Sequence, residues 1–282
     1  MSLDLSVVGT EIGRRERSWE PRDCMLYALG VGCGVDELQF ATEKQQRVLP
    51  TFATIAGGGS GFLDVLGPDI ARKGVHAEHS IEVLKPIKPT GSVKTTTKVR
   101  SIWDKGNSSL VVFESTARDA ASGEALFVNI MTIFIRGVGG FGGERGPSTK
   151  AGYPERDPDH VSSYKTHKDQ ALLYRLNGDM TPLHSDPELA VRAGFEAPIL
   201  HGMCTFGFAG RGIMAAMGDT DGTRLRSMGA RFSKPVYPGD TLTVSVWCEG
   251  NEAIFRVSTD RGNLVLEQGC ASFVPANANT GS

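Results

Sequence analysis

The chain has 282 residues, 40% of them hydrophobic and 22% charged, and Lys+Arg 30 against Asp+Glu 32 leaves a net charge of −2. That composition excludes a disordered chain, and the missing basic field excludes recruitment by nucleic acid or an anionic membrane through bulk charge. Glycine stands out at 35 residues, about 12% against a usual ~7%, so tight turns and close backbone approaches are expected.

At the N-terminus Arg14, Arg15 and Arg17 follow a polar start, with no apolar core of a signal peptide. The longest apolar stretch, Ala125 to Ile135, is interrupted by Asn129 and Thr132, far short of the roughly 20 apolar residues of a span. Cys24, Cys33, Cys204, Cys248 and Cys270 are widely spaced, odd in number and form no Cys-x-x-Cys pair, which fits a reducing compartment. The chain ends Thr280-Gly281-Ser282 rather than on a Ser-Lys-Leu-type address. A cytoplasmic protein with no membrane segment is expected.

The chain is written twice. The entry from Asp23 through Tyr27 to Gly30 is echoed from Asp169 through Tyr174 to Gly178, and Lys85-Pro86-Ile87-Lys88-Pro89 by Lys234-Pro235-Val236-Tyr237-Pro238, at nearly one offset. In the first half a weak helix signal at Pro50–Ala56, followed by Gly57-Gly58-Gly59-Ser60-Gly61, predicts a broken helix with open apolar space, ahead of a strand at Val75–Val83 where apolar and polar residues alternate. Runs at Val93–Trp103, Leu110–Thr116 and Leu126–Ile135 follow. The second half repeats the plan with a helix at His201–Met217 and strands at Ser227–Phe232, Leu242–Cys248, Ile254–Thr259 and Leu264–Phe273. Short turns between successive strands imply antiparallel pairing, and one helix before a run of such strands is an α+β unit. Gly137 to Pro147 and the polar stretch beyond it read as a connector. The expected division is a first module at 1–136, a Gly/Pro-rich linker at 137–160 and a second module at 161–282.

Chemistry concentrates in the second half. Asn177-Gly178 marks a turn, and Pro182 suits the first turn of a short helix, so Asp179 and His184 converge on one point. A carboxylate and an imidazole sharing a water can do acid–base work near neutral pH, with Asp179 expected to raise the pKa of His184. The plain alternative is that Asp179 caps a helix and His184 is a hydrogen-bonded structural residue. His201-Gly202 opens a helix whose free N–H groups could hold an oxyanion, or Gly202 could serve packing alone. The first half has no histidine matching His184, which suggests one active site per chain. His76 and His79, three apart on a strand, are expected on opposite faces. No P-loop, zinc motif or dinucleotide fingerprint is present, so no cofactor or metal is expected; Cys204 lacks any group that would activate it as a nucleophile.

The run from Tyr174 to His184, then Ala193 through Pro198, His201, Gly202 and Gly207, and Ala230 through Phe232 to Gly239, resembles the enoyl-CoA hydratase 2 (MaoC-like) family. In the first half Asp23 to Gly30, Val48 to Phe52, His76 to His79 and Gly139 to Gly143 resemble it too. The resemblance implies a double hot-dog fold, with a first module that has lost catalysis but binds acyl-CoA. It implies reversible syn addition of water to trans-2-enoyl-CoA, giving (3R)-3-hydroxyacyl-CoA. By the same resemblance Asp179 and His184 activate the water, the Gly202 N–H stabilises the thioester oxyanion, and Phe232 lies beside the substrate. His76, Ala77 and Lys105 match CoA-contacting positions, although the family commonly has Gly at Ala77. Thr181 stands where the family usually has Asn to orient the water. A homodimer is implied. The rival readings are a dehydratase of acyl-carrier-protein thioesters, a hot-dog thioesterase and a non-catalytic acyl-binding protein.

Overall fold

The computed structural model describes residues 3–147 and 152–276. Ten strands run in chain order: β1 Glu11–Trp19, β2 Gly74–Val83, β3 Gly91–Asp104, β4 Ser108–Asp119, β5 Ala125–Arg136, β6 His160–Lys165, β7 Leu225–Phe232, β8 Thr241–Glu249, β9 Glu252–Thr259 and β10 Leu264–Phe273. They form one sheet, ordered β1-β3-β4-β5-β2-β7-β10-β9-β8-β6. Each half contributes five strands in the same relative order, and the halves join where β2 pairs antiparallel with β7, Ser80 facing Gly229. The fold is the expected α+β double hot-dog arrangement. Strand formation follows the alternation: along β3, Val93, Thr95, Thr97 and Val99 are buried while Lys94, Thr96, Lys98 and Arg100 are exposed.

Two strands were not expected, and both lie at sheet edges. In β1, Arg14, Arg15 and Glu16 are exposed, so the charges that protect an open edge also hide the alternation. In β6 only six residues pair with β8, and the strand begins at the last residue of the expected linker.

The helices are α1 Pro21–Gly30, α2 Leu38–Ala41, α3 Ala53–Ala56, α4 Phe62–Ala71, α5 Gln170–Tyr174, α6 Pro187–Arg192 and α7 Gly202–Ala216. In the second half α7 is buried along most of its length against the sheet. The corresponding cover in the first half is broken into α3, the glycine segment Gly57–Gly61, and α4. That break was expected, but open apolar space beneath the glycines was not found. A Cβ on Gly57 would stand 2.9 Å from Asn129 Nδ2, and one on Gly59 would stand 2.7 Å from Thr97 Oγ1. A helix satisfies its own backbone, whereas this segment needs partners from the sheet. A buried row of Thr97, Ser115 and Asn129 on adjacent strands meets that need: Ser60 N–H donates to Thr97 Oγ1, and Asn129 Nδ2 donates to Ala53 O and Gly57 O.

The main apolar cluster runs through both halves and includes the fully buried Tyr27 and Tyr174, whose ring centroids lie 6.2 Å apart. A second cluster lies under α4, around Phe113, Val111 and Ile135. The halves are also tied by Arg211 of α7, which pairs with Glu37, donates to Val31 O and stacks over Tyr164. Among the described residues no helix is long and apolar enough to cross a membrane.

Candidate active site

The loop that carries Asp179 is built on buried anchors. Tyr174 ends α5, a 3-10 turn covers Arg175–Asn177, and Gly178 takes φ 121°, a conformation that favours glycine. Asn177 Nδ2 donates to Tyr174 O, while Arg17 of β1 donates to Asn177 O and to Ile55 O, so the first half grips the loop beside Asp179. Pro182 then opens a single 3-10 turn, Pro182–His184. Asp179 caps no helix. Its Oδ1 accepts from Thr181 N–H at 3.1 Å and from Thr181 Oγ1 at 2.6 Å, a local turn that aims the carboxylate.

The second wall is the start of α7. Leu200 N–H donates to Val236 O, which pins the chain as it enters the helix. His201 precedes the first residue, Gly202, whose N–H belongs to the first turn and has no partner within the helix. A Cβ on Gly202 would meet the Phe232 ring at 3.1 Å, so glycine allows the ring to close over the helix start. His184, His201 and Asp179 present ligand-type atoms that all lie within 4.8 Å of one another.

Hydrogen bonds fix the tautomers. His184 Nδ1 lies 2.8 Å from Ile199 O, and a carbonyl only accepts, so Nδ1 carries the proton and Nε2 is left with a lone pair. Burial lowers the pKa of His184; the Ile199 carbonyl and the Asp179 charge oppose it and lose. The expected rise from Asp179 is therefore corrected: desolvation is the larger effect. Partial desolvation by its neighbours pushes the Asp179 carboxyl up although the residue is open to solvent, but the two Thr181 bonds and the neighbouring histidines together hold it below its ordinary value. The site at neutral pH is an ionised carboxylate beside a neutral imidazole.

The first half supplies His76, half-buried and 4.9 Å from the Phe232 ring between centroids. A bulge between His76 and Glu78 in the β2–β5 ladder corrects the expectation that His76 and His79 face apart. Ala77 is the extra residue, the two-residue period is interrupted, and the rings meet at 5.3 Å. His79 Nε2–H donates to Asn129 Oδ1 at 3.1 Å. Burial, most of all, pushes His76 down to about 3 and His79 down to about 4, so both stay neutral. Lys105 is not part of this cluster. It sits in the β3–β4 turn, at the same end of the sheet as His76 but three strand spacings from β2, about 14 Å away. There Asp104 accepts N–H bonds from Gly106, Gly140 and Gly142, which orders the glycine-rich segment beside Lys105.

Structure thus brings Asp179, Thr181, His184, Gly202, Phe232 and His76 together, leaves Lys105 at the rim, and puts Ala77 at the bulge. No local motif marks Arg17 or Asn129, because their partners lie 38 to 160 residues away along the chain. In the trio two of the four imidazole nitrogens are already engaged, His201 Nε2 donating to Asp179 O and His184 Nδ1 to Ile199 O. Cys204 is fully buried, its thiol pKa is raised by burial, and it donates to Gly30 O, so it is no nucleophile.

Comparison with known proteins gives the chain's family. Residues 18–137 match the MFE-2 hydratase 2 N-terminal domain, and residues 149–268 match the MaoC like domain. The chain is 40% identical to enoyl-CoA hydratase ChsH3 of Mycobacterium tuberculosis, over 98% of this chain and 100% of that protein. It is 38% identical to a probable enoyl-CoA hydratase 2 of Dictyostelium discoideum, over 98% of each. The crystal structure of a MaoC-like dehydratase from Phytophthora capsici superposes with a TM-score of 0.87 at 31% identity, covering 95% of this chain and 98% of that one. With both domain families in order along the chain and relatives aligned nearly end to end, the protein belongs to the MaoC-like hydratase 2 family.

Proposed function

We propose that the protein is an (R)-specific enoyl-CoA hydratase, a hydro-lyase that reversibly adds water to trans-2-enoyl-CoA to give (3R)-3-hydroxyacyl-CoA. The observation that carries this is the pairing of an ionised Asp179 with a His184 whose Nδ1 is spent on Ile199 O, so that its Nε2 lone pair faces the same point. Water held between them loses a proton to His184 as its oxygen bonds to C3 of the enoyl group. The electron pair moves to the thioester oxygen, where the Gly202 N–H and the positive end of α7 stabilise it. The same pair of residues returns a proton to C2 on the same face, which makes the addition syn. Thr181 acts by aiming Asp179, His76 and Phe232 flank the thioester, and Ala77 and Lys105 lie toward the nucleotide end. In this reading the first module, 1–136, is a non-catalytic acyl-CoA-binding unit, the linker is 137–160, and the second module, 161–282, carries the chemistry. A cytoplasmic homodimer completes it; five free cysteines support the reducing compartment.

The test is the loss of enoyl absorbance with crotonyl-CoA and decenoyl-CoA, with carrier-protein thioesters in parallel and chiral analysis of the product. Asp179→Asn and His184→Ala are each expected to lower kcat by about 10²–10⁴-fold in a folded protein. Retained activity in either folded variant, or an (S) product, overturns the proposal; a preference for carrier-protein thioesters reassigns the substrate carrier. Light scattering of the purified protein checks the dimer.

A further inference from the structure

We propose that His201 is a positioning residue that holds both members of the water-activating pair in register, Asp179 through its backbone and His184 through its ring. The inference rests on the hydratase reading above. His201 is 1% exposed, and its ring lies parallel to that of His184, with centroids 3.7 Å apart and planes 26° apart. Its Nε2 lies 3.2 Å from the carbonyl oxygen of Asp179. One side chain therefore contacts both Asp179, through its backbone, and the His184 ring, and directly precedes Gly202.

The need for such a support follows from the loop itself. Between Gly178 and Pro182 the chain has no regular secondary structure, and the Thr181 bonds to Asp179 lie within that same loop, so they orient the carboxylate without attaching the loop to α7. The His201 hydrogen bond makes the attachment. His184 sits in a single 3-10 turn held at one edge by Ile199 O, and that bond leaves rotation about its own axis unrestrained. A parallel ring in van der Waals contact removes this freedom.

Chemistry requires that the support carry no charge. Because the Asp179 carbonyl only accepts, His201 Nε2 holds its proton and the buried, unpartnered Nδ1 holds a lone pair. The groups facing it are Asp179, His184, Tyr174 and Arg175. Burial, with His184 next, pushes His201 down to about 4, so it stays neutral and does not compete for the proton that His184 takes.

Two variants separate the two contacts. His201→Gln retains an N–H for the Asp179 carbonyl and loses the ring; His201→Phe retains the ring and loses the donor. With folding checked by circular dichroism, each is expected to lower kcat with crotonyl-CoA by about 10- to 100-fold, the effect of misplacing reacting groups by a fraction of an ångström to one ångström. KM should change by less than about threefold, since the loss falls on the transition state. Wild-type kcat in either folded variant, or a rise in KM with kcat intact, overturns the assignment. Loss of stability with an unchanged kcat per folded molecule overturns it as well. Should neither variant fold, nitrogen NMR of the wild-type imidazoles decides: a neutral His201 protonated on Nε2 supports the inference, and one protonated on Nδ1 overturns it. Asp179→Asn and His184→Ala run alongside. If these keep activity the hydratase reading fails; if they lose it while both His201 variants keep theirs, only the positioning role fails.

Discussion

Replacing Thr181 by Val tests what this residue does in the site. The two side chains have nearly the same shape, so the change removes the 2.6 Å bond from Thr181 Oγ1 to Asp179 Oδ1 and leaves the 3.1 Å backbone bond in place. A hydrogen bond to a charged group contributes about 1.5–3 kcal/mol when shielded from water. Asp179 is exposed in the free protein, so water screening reduces this to about 1–1.5 kcal/mol. At about 1.4 kcal/mol per tenfold, kcat should fall roughly 5- to 12-fold, with KM little changed. The Asp179 pKa should rise toward its ordinary value, because the hydroxyl is the largest of the effects holding it down. Steady-state kinetics on crotonyl-CoA reads the loss of kcat, and carbon NMR of the Asp179 carboxyl against pH reads the shift of its pKa. Thr181→Ser, which keeps the hydroxyl, should stay close to wild type. If Thr181→Val keeps full kcat and an unmoved Asp179 pKa, the hydroxyl does not aim the carboxylate and the argument fails. Thr181→Asn distinguishes the water-orienting role implied by the family resemblance: a gain in kcat would show that an amide reaches the water where the hydroxyl does not.

Two further predictions use other parts of the structure. Burial lowers the pKa of His184 and its neutral form is the base, so kcat/KM should hold down to about pH 6.5, the usual imidazole value, and fall only below it; a fall centred above that pH contradicts the burial argument. Asn129→Leu strands two buried carbonyls, Ala53 O and Gly57 O, and the His79 Nε2 proton, which should cost about 3–5 kcal/mol in urea unfolding; a loss below about 1 kcal/mol would mean that the glycine segment is held by something else.

Much of this protein was legible in local pattern. Eight of the ten strands, α7, the broken cover of the first half and the doubling of the chain follow from alternation, glycine runs and two echoed motifs, because burial on one face of a sheet imposes a period that any window of residues displays. The charged edge strand β1 and the short β6 escaped for the complementary reason: an edge strand presents one side to water and its pairing depends on a neighbour far away in sequence. In the site, the spacing of Asp179, Pro182 and His184 pointed to convergence, because a turn and a one-turn helix are local structures. Which nitrogen of His184 keeps its lone pair was decided by Ile199 O, and the direction of its pKa by burial. His76 and His79 came to one face only through the bulge in the β2–β5 ladder. Residue order along the chain sets what can form within one turn or one strand. Desolvation, register and the stacking of His201 on His184 depend on groups brought together from distant positions, and only the folded molecule sets them.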